Sequence, residues 1–155
     1  MTISTNGIIG FGVQCEDGCE FPWDAEEFEG DIEAWWRSEN GFVDIYHPWT
    51  NDGNYAAGWQ ENDPRFDEYY KHRHNWMTAN PIPIKVENYC SGEYPMYAIT
   101  VTGAGARCRR GNPAAFDPHG LVVTAEQVAA LKAFLETYNI EHDGEPRWLL
   151  MSYWG

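Results

Sequence analysis

Apolar residues along this chain recur with two periods, one close to 2 and one close to 3.6, and the alternation predicts mixed strand and helix. Gly7-Ile-Ile-Gly-Phe-Gly-Val-Gln14 reads as a first strand, in which three glycines permit close backbone approach or a bulge. Residues 21 to 36, from Phe21-Pro-Trp-Asp to Ala-Trp-Trp36, switch to helical spacing. Asp24 is the candidate N-cap, Glu27 completes a capping box, and Trp23 is placed to staple onto Phe28. Phe28, Ile32, Trp35 and Trp36 then share one stripe, although Gly30 weakens such a helix by about 1 kcal/mol relative to alanine. Phe42-Val-Asp-Ile-Tyr46 is a short strand candidate. The polar stretch from His47 to Asp63 follows, and its length predicts a functional or mobile loop. Trp49, Tyr55 and Trp59 lie within it, either as exposed contact rings or folded back on the core.

Asp63-Pro64 predicts a helix start, with Phe66, Tyr69, Tyr70, Arg73, Trp76 and Met77 following. Ile82, Ile84 and Val86 alternate beside two prolines, the pattern of an edge strand or of a strand start. Tyr94 to Thr102 is the clearest strand, β-branched and bounded by turn residues. It leads into the loop Gly103-Ala-Gly-Ala-Arg-Cys-Arg-Arg-Gly-Asn-Pro113. From Leu121 to Tyr138 the best-specified helix is capped by Thr124 and Gln127. Val128, Leu131, Phe134, Leu135 and Tyr138 form its stripe, and Asn139 provides a left-handed stop with Ile140 folding back. The final apolar run from Pro146 predicts a strand inserted in the sheet, with Tyr153 and Trp154 near its edge. The expected fold is α+β: a single domain of 155 residues, a mostly antiparallel sheet, and two or three helices packed on it, the Phe28 to Trp36 stripe included.

Charge changes this picture more than composition does. Asp and Glu number 24 against 10 Lys and Arg, a formal net charge of −14. Such a chain is poorly suited to long nucleic acid, whose binding is dominated by cationic contacts with phosphate, or to anionic lipid. It suits a basic protein surface, or imitation of nucleic acid, and Glu26, Glu29 and Glu33 are the candidate partner-binding residues. The charge is also polarised: residues 1 to 45 hold eleven carboxylates and one arginine, while Arg107, Arg109 and Arg110 crowd one glycine-rich loop. Guanidinium groups clamp phosphate or carboxylate through paired hydrogen bonds, so these three are candidate ligand-binding residues for a small anion. Trp49, Trp59 and Tyr97 are the candidate rings to stack on a base. The alternative is that the arginines neutralise the acidic helix or are solvated.

Other chemistry finds less support. Gly7, Gly10 and Gly12 do not make a dinucleotide-binding fingerprint or a phosphate loop. His72 and His74 diverge by about 200° on a helix, which disfavours a shared metal. Cys15, Cys19, Cys90 and Cys108 lack the paired spacing of a zinc site, so reduced thiols in a cytoplasmic protein are expected, with no metal and no cofactor. The N-terminal residues lack a basic stretch followed by an apolar run, and no signal peptide or membrane span is expected. A small hydrolase using Asp52 or Asp63 with His47, His72 or His119 has its titratable groups, but no spacing marks a nucleophile and its base. The reading therefore favours a non-catalytic protein. Self-pairing stays open, since a shared site would combine loops of two chains.

Taken in order, Gly10-Phe-Gly12, Phe21-Pro-Trp-Asp24 with its acidic helix, Tyr94-Pro95, Arg110-Gly111, Val123-Thr-Ala-Glu126 and Ser152-Tyr-Trp-Gly155 resemble a family of small proteins encoded by tailed bacteriophages. The likeness covers most of the chain and carries over no catalytic residue. Phage accessory proteins of this size often resemble inhibitors of host defence. The resemblance therefore implies a role in an infected bacterium, either sequestering a nucleotide signal or occupying a host protein.

Overall fold

Three glycines near the N-terminus let one strand serve as the spine of the sheet. In a computed structural model describing residues 5 to 50 and 53 to 154, β1 (Thr5–Cys15) pairs along almost its whole length with the antiparallel β5 (His142–Trp154), from Thr5↔Trp154 to Cys15↔His142. Its other edge is shared. The first half pairs with β4 (Ala106–Cys108) and the second half with β3 (Pro95–Val101), both antiparallel. Close approach makes this sharing possible: a Cβ on Gly12 would overlap the Ile99 carbonyl, and one on Gly105 would overlap that of Ile9. The ladder shifts between Gly12 and Gln14, as a bulge does.

β2 (Ile84–Ser91) pairs antiparallel with β3, and at Cys90↔Tyr153 and Ser91↔Trp154 it pairs in parallel with the end of β5. The circuit β1-β5-β2-β3 therefore closes on itself, with β4 extending β1's edge. β2 begins directly after Pro83, as a strand start does, and only its last two residues are paired on both sides. One expectation is corrected here: Tyr153 and Trp154 are not at an edge, because β5 is paired on both sides there. Closure follows from the curl that the glycines and the bulge allow. Ile8, Ala98 and Met151 form a core inside this circuit, with Tyr89 and Leu149 packed on it. Along β5 the alternation leaves Leu150 82% exposed while Met151 is 7% exposed, so the apolar run is only half buried.

The helix α3 (Ala125–Thr137) forms as the sequence specifies. Gln127 N donates to Thr124 Oγ1 at 3.2 Å and Thr124 N donates to Gln127 Oε1 at 2.9 Å, a complete capping box. Leu131, Phe134 and Leu135 are buried and the helix packs on β3. Asn139 takes the left-handed conformation, at φ 49°, and buried Ile140 donates back to Leu135 O at 3.0 Å.

The described chain divides into two compact units, one made of residues up to Pro22 and from Pro83 onward, the other Trp23–Ile82. All five strands and α3 belong to the first. The second holds α1 (Ile32–Glu39) and α2 (Arg65–Ala79) and is built largely from rings. With these three helices and the five-stranded, mostly antiparallel sheet, the fold is α+β.

The predicted helix from Phe21 to Trp36 is much shorter than expected. Residues Pro22–Asp24 form a single 3-10 turn, Glu29 and Gly30 both have positive φ, and the helix begins after them with Asp31 as its cap. Asp31 Oδ1 accepts from Glu33 N and Ala34 N, each at 2.9 Å. Two consecutive left-handed residues cannot sit inside an α-helix, so Phe28 leaves the stripe. Trp23 still meets the helix from its turn, 5.1 Å from buried Trp35 between ring centroids. Nor do residues 42 to 46 form a strand. They run extended along α2, where the Phe42 ring meets His72 and Trp76, Asp44 pairs with Arg73 at 2.6 Å, and the Tyr46 hydroxyl donates to Glu68 at 3.0 Å. Side-chain contacts with a helix replace the expected ladder.

Candidate functional site

Of Arg107, Arg109 and Arg110, Arg107 lines a pocket beside β2 and the other two do not. Arg107 stands on β4, which forms inside the predicted loop. Its guanidinium donates to Glu87 of β2, and the Lys85 ammonium reaches the other Glu87 oxygen at 2.7 Å. The Glu87 side chain is 7% exposed while those of Lys85 and Arg107 are about half exposed, so a buried carboxylate is held between two cations that face outward. This neutralises Glu87 and leaves one net positive charge. Arg109 and Arg110 lie in the next turn, where Arg109 bridges to Asn112 in the backbone. Their side chains are exposed, and with Lys71 they are the cations that form no ion pair among the described residues.

Beside the Lys85–Glu87–Arg107 trio lies a pocket of about 260 Å³, floored by Ile8, Ile9 and Val101 and rimmed by the backbone of Gly103 to Ala106. Gly103 and Gly105 have φ of 81° and 123°, conformations that suit glycine and bring main chain rather than side chain to the rim. Arg107 uses one donor on Glu87, and both cations retain others. The pocket can thus offer an ammonium, a guanidinium and a bare backbone rim to a small anion. Lys85 and Glu87 were missed in the sequence reading. The signal available was two charged residues, two positions apart in a strand, which share a face.

The rings expected to stack on a base are dispersed. Tyr97 belongs to β3, meets Phe21 edge-on at 5.5 Å, and lines a separate pocket of about 250 Å³ with Cys15, Cys19 and Met96. Trp59 and Trp49 belong to the other unit and fold onto Phe66 of α2, at 5.1 and 5.3 Å between centroids. The Arg65 guanidinium already covers the Trp59 ring at 4.3 Å. Trp49 remains 40% exposed and borders a pocket of about 460 Å³ with Tyr55, Phe66 and Tyr70. Glu26 and Glu29 are exposed on the turns before α1, and Glu33, on its first turn, lies 3.7 Å from Arg37. They do not share one helical face, because the helix starts at Ile32.

Of the titratable groups considered for hydrolysis, the Asp63 and His72 side chains have other partners. Asp63 accepts from the Arg65 backbone N–H and Nε, each at 2.9 Å, and the Arg65 hydrogen bonds hold its carboxyl down at about 2. A helix does open here, but Pro64 rather than Asp63 holds the cap position of α2, one residue later than expected. The His72 ring nitrogen Nε2 lies 3.1 Å from the Val43 carbonyl, and His119 sits in a 3-10 turn closed by Asp117. Asp52 lies outside the described residues. Burial, and then neighbouring Cys19, push the Cys15 thiol far above its ordinary value, which keeps it protonated and a poor nucleophile. No group of three or more His, Cys, Asp or Glu side chains able to hold a metal ion occurs among the described residues, and no described helix is long and apolar enough to cross a membrane.

No protein-family model matches the chain, and comparison with curated proteins and with solved structures gives no match either. The side chains and pockets therefore carry the functional reading by themselves.

Proposed function

We propose that the protein is a non-catalytic binding protein that sequesters a small anionic, nucleotide-like ligand at the pocket between β2, β4 and the Gly103–Gly105 loop. The observation that carries this reading is the Lys85–Glu87–Arg107 trio, in which two outward-facing cations are fixed by one buried carboxylate at the rim of a concavity. Fixing the cations in advance lowers the ordering cost of binding. A phosphate or carboxylate is the group such a rim favours, since it accepts from the remaining guanidinium and ammonium donors. The cavity matches the head of a ligand better than a whole nucleotide, because small-molecule sites usually enclose about 300 to 1,000 Å³. Arg109 and Arg110, just beyond β4, supply further charge for the part that projects. The setting that goes with this reading, from the phage resemblance of the sequence, is an infected bacterium, where withdrawal of a nucleotide signal would counteract host defence.

Thermal denaturation with pyrophosphate, mononucleotides and cyclic dinucleotides tests the proposal. A ligand at a hundred times its Kd stabilises by about 2.7 kcal/mol, a rise of about 5 to 10 °C for a chain of this size. The rise is expected to disappear in Arg107→Gln and to shrink in the double variant Arg109→Ala, Arg110→Ala. The latter removes two exposed side chains that contribute little to folding. A flat response over the whole panel overturns the reading.

A further inference from the structure

The second unit holds a pocket of opposite chemistry. Trp49, Tyr55, Phe66 and Tyr70 wall a concavity of about 460 Å³ that also takes in Glu61, Asp63 and Asp67. Three of these rings are unusually open, at 40% exposure for Trp49, 45% for Tyr55 and 57% for Tyr70. Large rings at a monomer surface normally find more cover, and a concave group of them marks a contact site. The carboxylates differ in state. Asp63 is matched by Arg65 at 2.6 Å, whereas Glu61 and Asp67 are exposed and form no ion pair among the described residues.

We infer that this pocket receives an arginine side chain from the surface of a basic protein partner. Two arginines of the chain show that the ring cluster accepts guanidinium on its faces: Arg65 lies 4.3 Å over Trp59 and Arg73 lies 4.3 Å over Tyr69. Tyr70 and Tyr55, in the same cluster, have no such cation among the described residues. A third guanidinium from outside would stack against Trp49 or Tyr70 and reach Glu61 or Asp67 with its edge. Arginine suits this arrangement better than lysine, because its planar group stacks and pairs with a carboxylate at the same time. The field of a chain at −14 draws basic protein surfaces toward it and favours a protein-borne cation. This inference goes beyond the anion site and uses none of its residues.

The experiment is titration of the full chain with a capped Gly-Ser-Arg-Ser-Gly peptide, followed by tryptophan fluorescence and calorimetry. The same peptide with citrulline, which keeps the shape and removes the charge, serves as comparison. The arginine peptide is expected to bind at least about tenfold more tightly than the citrulline peptide, and Tyr70→Ala to weaken it about threefold to tenfold. Glu61→Gln with Asp67→Asn is expected to weaken it similarly, and Glu39→Gln, which does not line the pocket, to leave it unchanged. Tyr70, Glu61 and Asp67 are exposed, so these variants are expected to keep the wild-type circular dichroism. Equal binding of the citrulline peptide, or unchanged affinity in both pocket variants, overturns the inference.

Discussion

Arg107 and Asp63 show how far a single charge can be interpreted before its partner is known. Arg107 stands out in the sequence because two more arginines follow it, yet its fixed partner is Glu87, twenty positions earlier on β2. Pairwise contact across a sheet has no local signal, so that half of the site was not legible. Asp63 is the reverse case. Its place before Pro64 announces a helix start, and the structure adds Arg65 as the group that depresses its acidity. A carboxyl whose folded value lies below the unfolded one, 3.8, stabilises the fold fully above that value. The contribution is lost as pH falls toward about 2, where the folded-state carboxyl takes up its proton. Asp63→Asn is therefore expected to lower the melting temperature near neutral pH, with the gap from wild type closing below about pH 4. Melting curves at several pH values check this, and a gap independent of pH would show that shape, not charge, is what Asp63 contributes.

Among the elements, legibility followed how local the specifying interactions are. The helix α3 was read correctly from Thr124 to Ile140 because cap, box, stripe and stop all lie within it. Thr124→Ala removes one half of the capping box and is expected to cost about 1 kcal/mol, which urea denaturation measures as a lower midpoint with unchanged slope. An unchanged midpoint would mean that packing of Leu131, Phe134 and Leu135 on the sheet determines the helix without its cap. The helix before it was misplaced at its start. Asp24 reads as the cap, but the positive φ of Glu29 and Gly30 excludes it, and Asp31 beyond them caps the helix instead. Residues 42 to 46 have strand-like alternation, but Asp44, Phe42 and Tyr46 find partners on α2 instead of a neighbouring strand. Inside the arginine loop, β4 is only three residues long, and pairing with β1 rather than local propensity makes it a strand.

On the scale of the whole molecule, charge is the dominant property. Of ten cations, seven sit in ion pairs among the described residues, and carboxylates remain in large excess. Exposed pairs contribute about 0 to 1 kcal/mol each and weaken with salt, while self-repulsion of a chain at −14 weakens too. Repulsion involves more charges, so raising salt from about 0.02 to 0.5 M is expected to raise the melting temperature. A fall would show that the ion pairs outweigh the repulsion. The two proposed sites divide along the same property. The anion pocket stands where cations gather in an acidic chain, and the aromatic pocket adds open rings to the prevailing negative charge.

By itself the sequence determined the α+β class, the strands that became β1, β3 and β5, the helix α3 with both ends, and a start for α2 close after Asp63-Pro64. Each follows from periodicity and capping within about twenty residues. It also determined the acidity of the chain and the gathering of arginines after Thr102. Tertiary structure alone decided that β1 is shared by three strands, that the sheet closes on itself, and that Arg107 is pinned by Glu87 while Arg109 and Arg110 are not. It also decided which rings of residues 47 to 63 stay open around Phe66. These outcomes depend on residues distant in the chain meeting at contact range, through backbone approach at Gly12 and Gly105 and through burial, and neither is encoded in any local period.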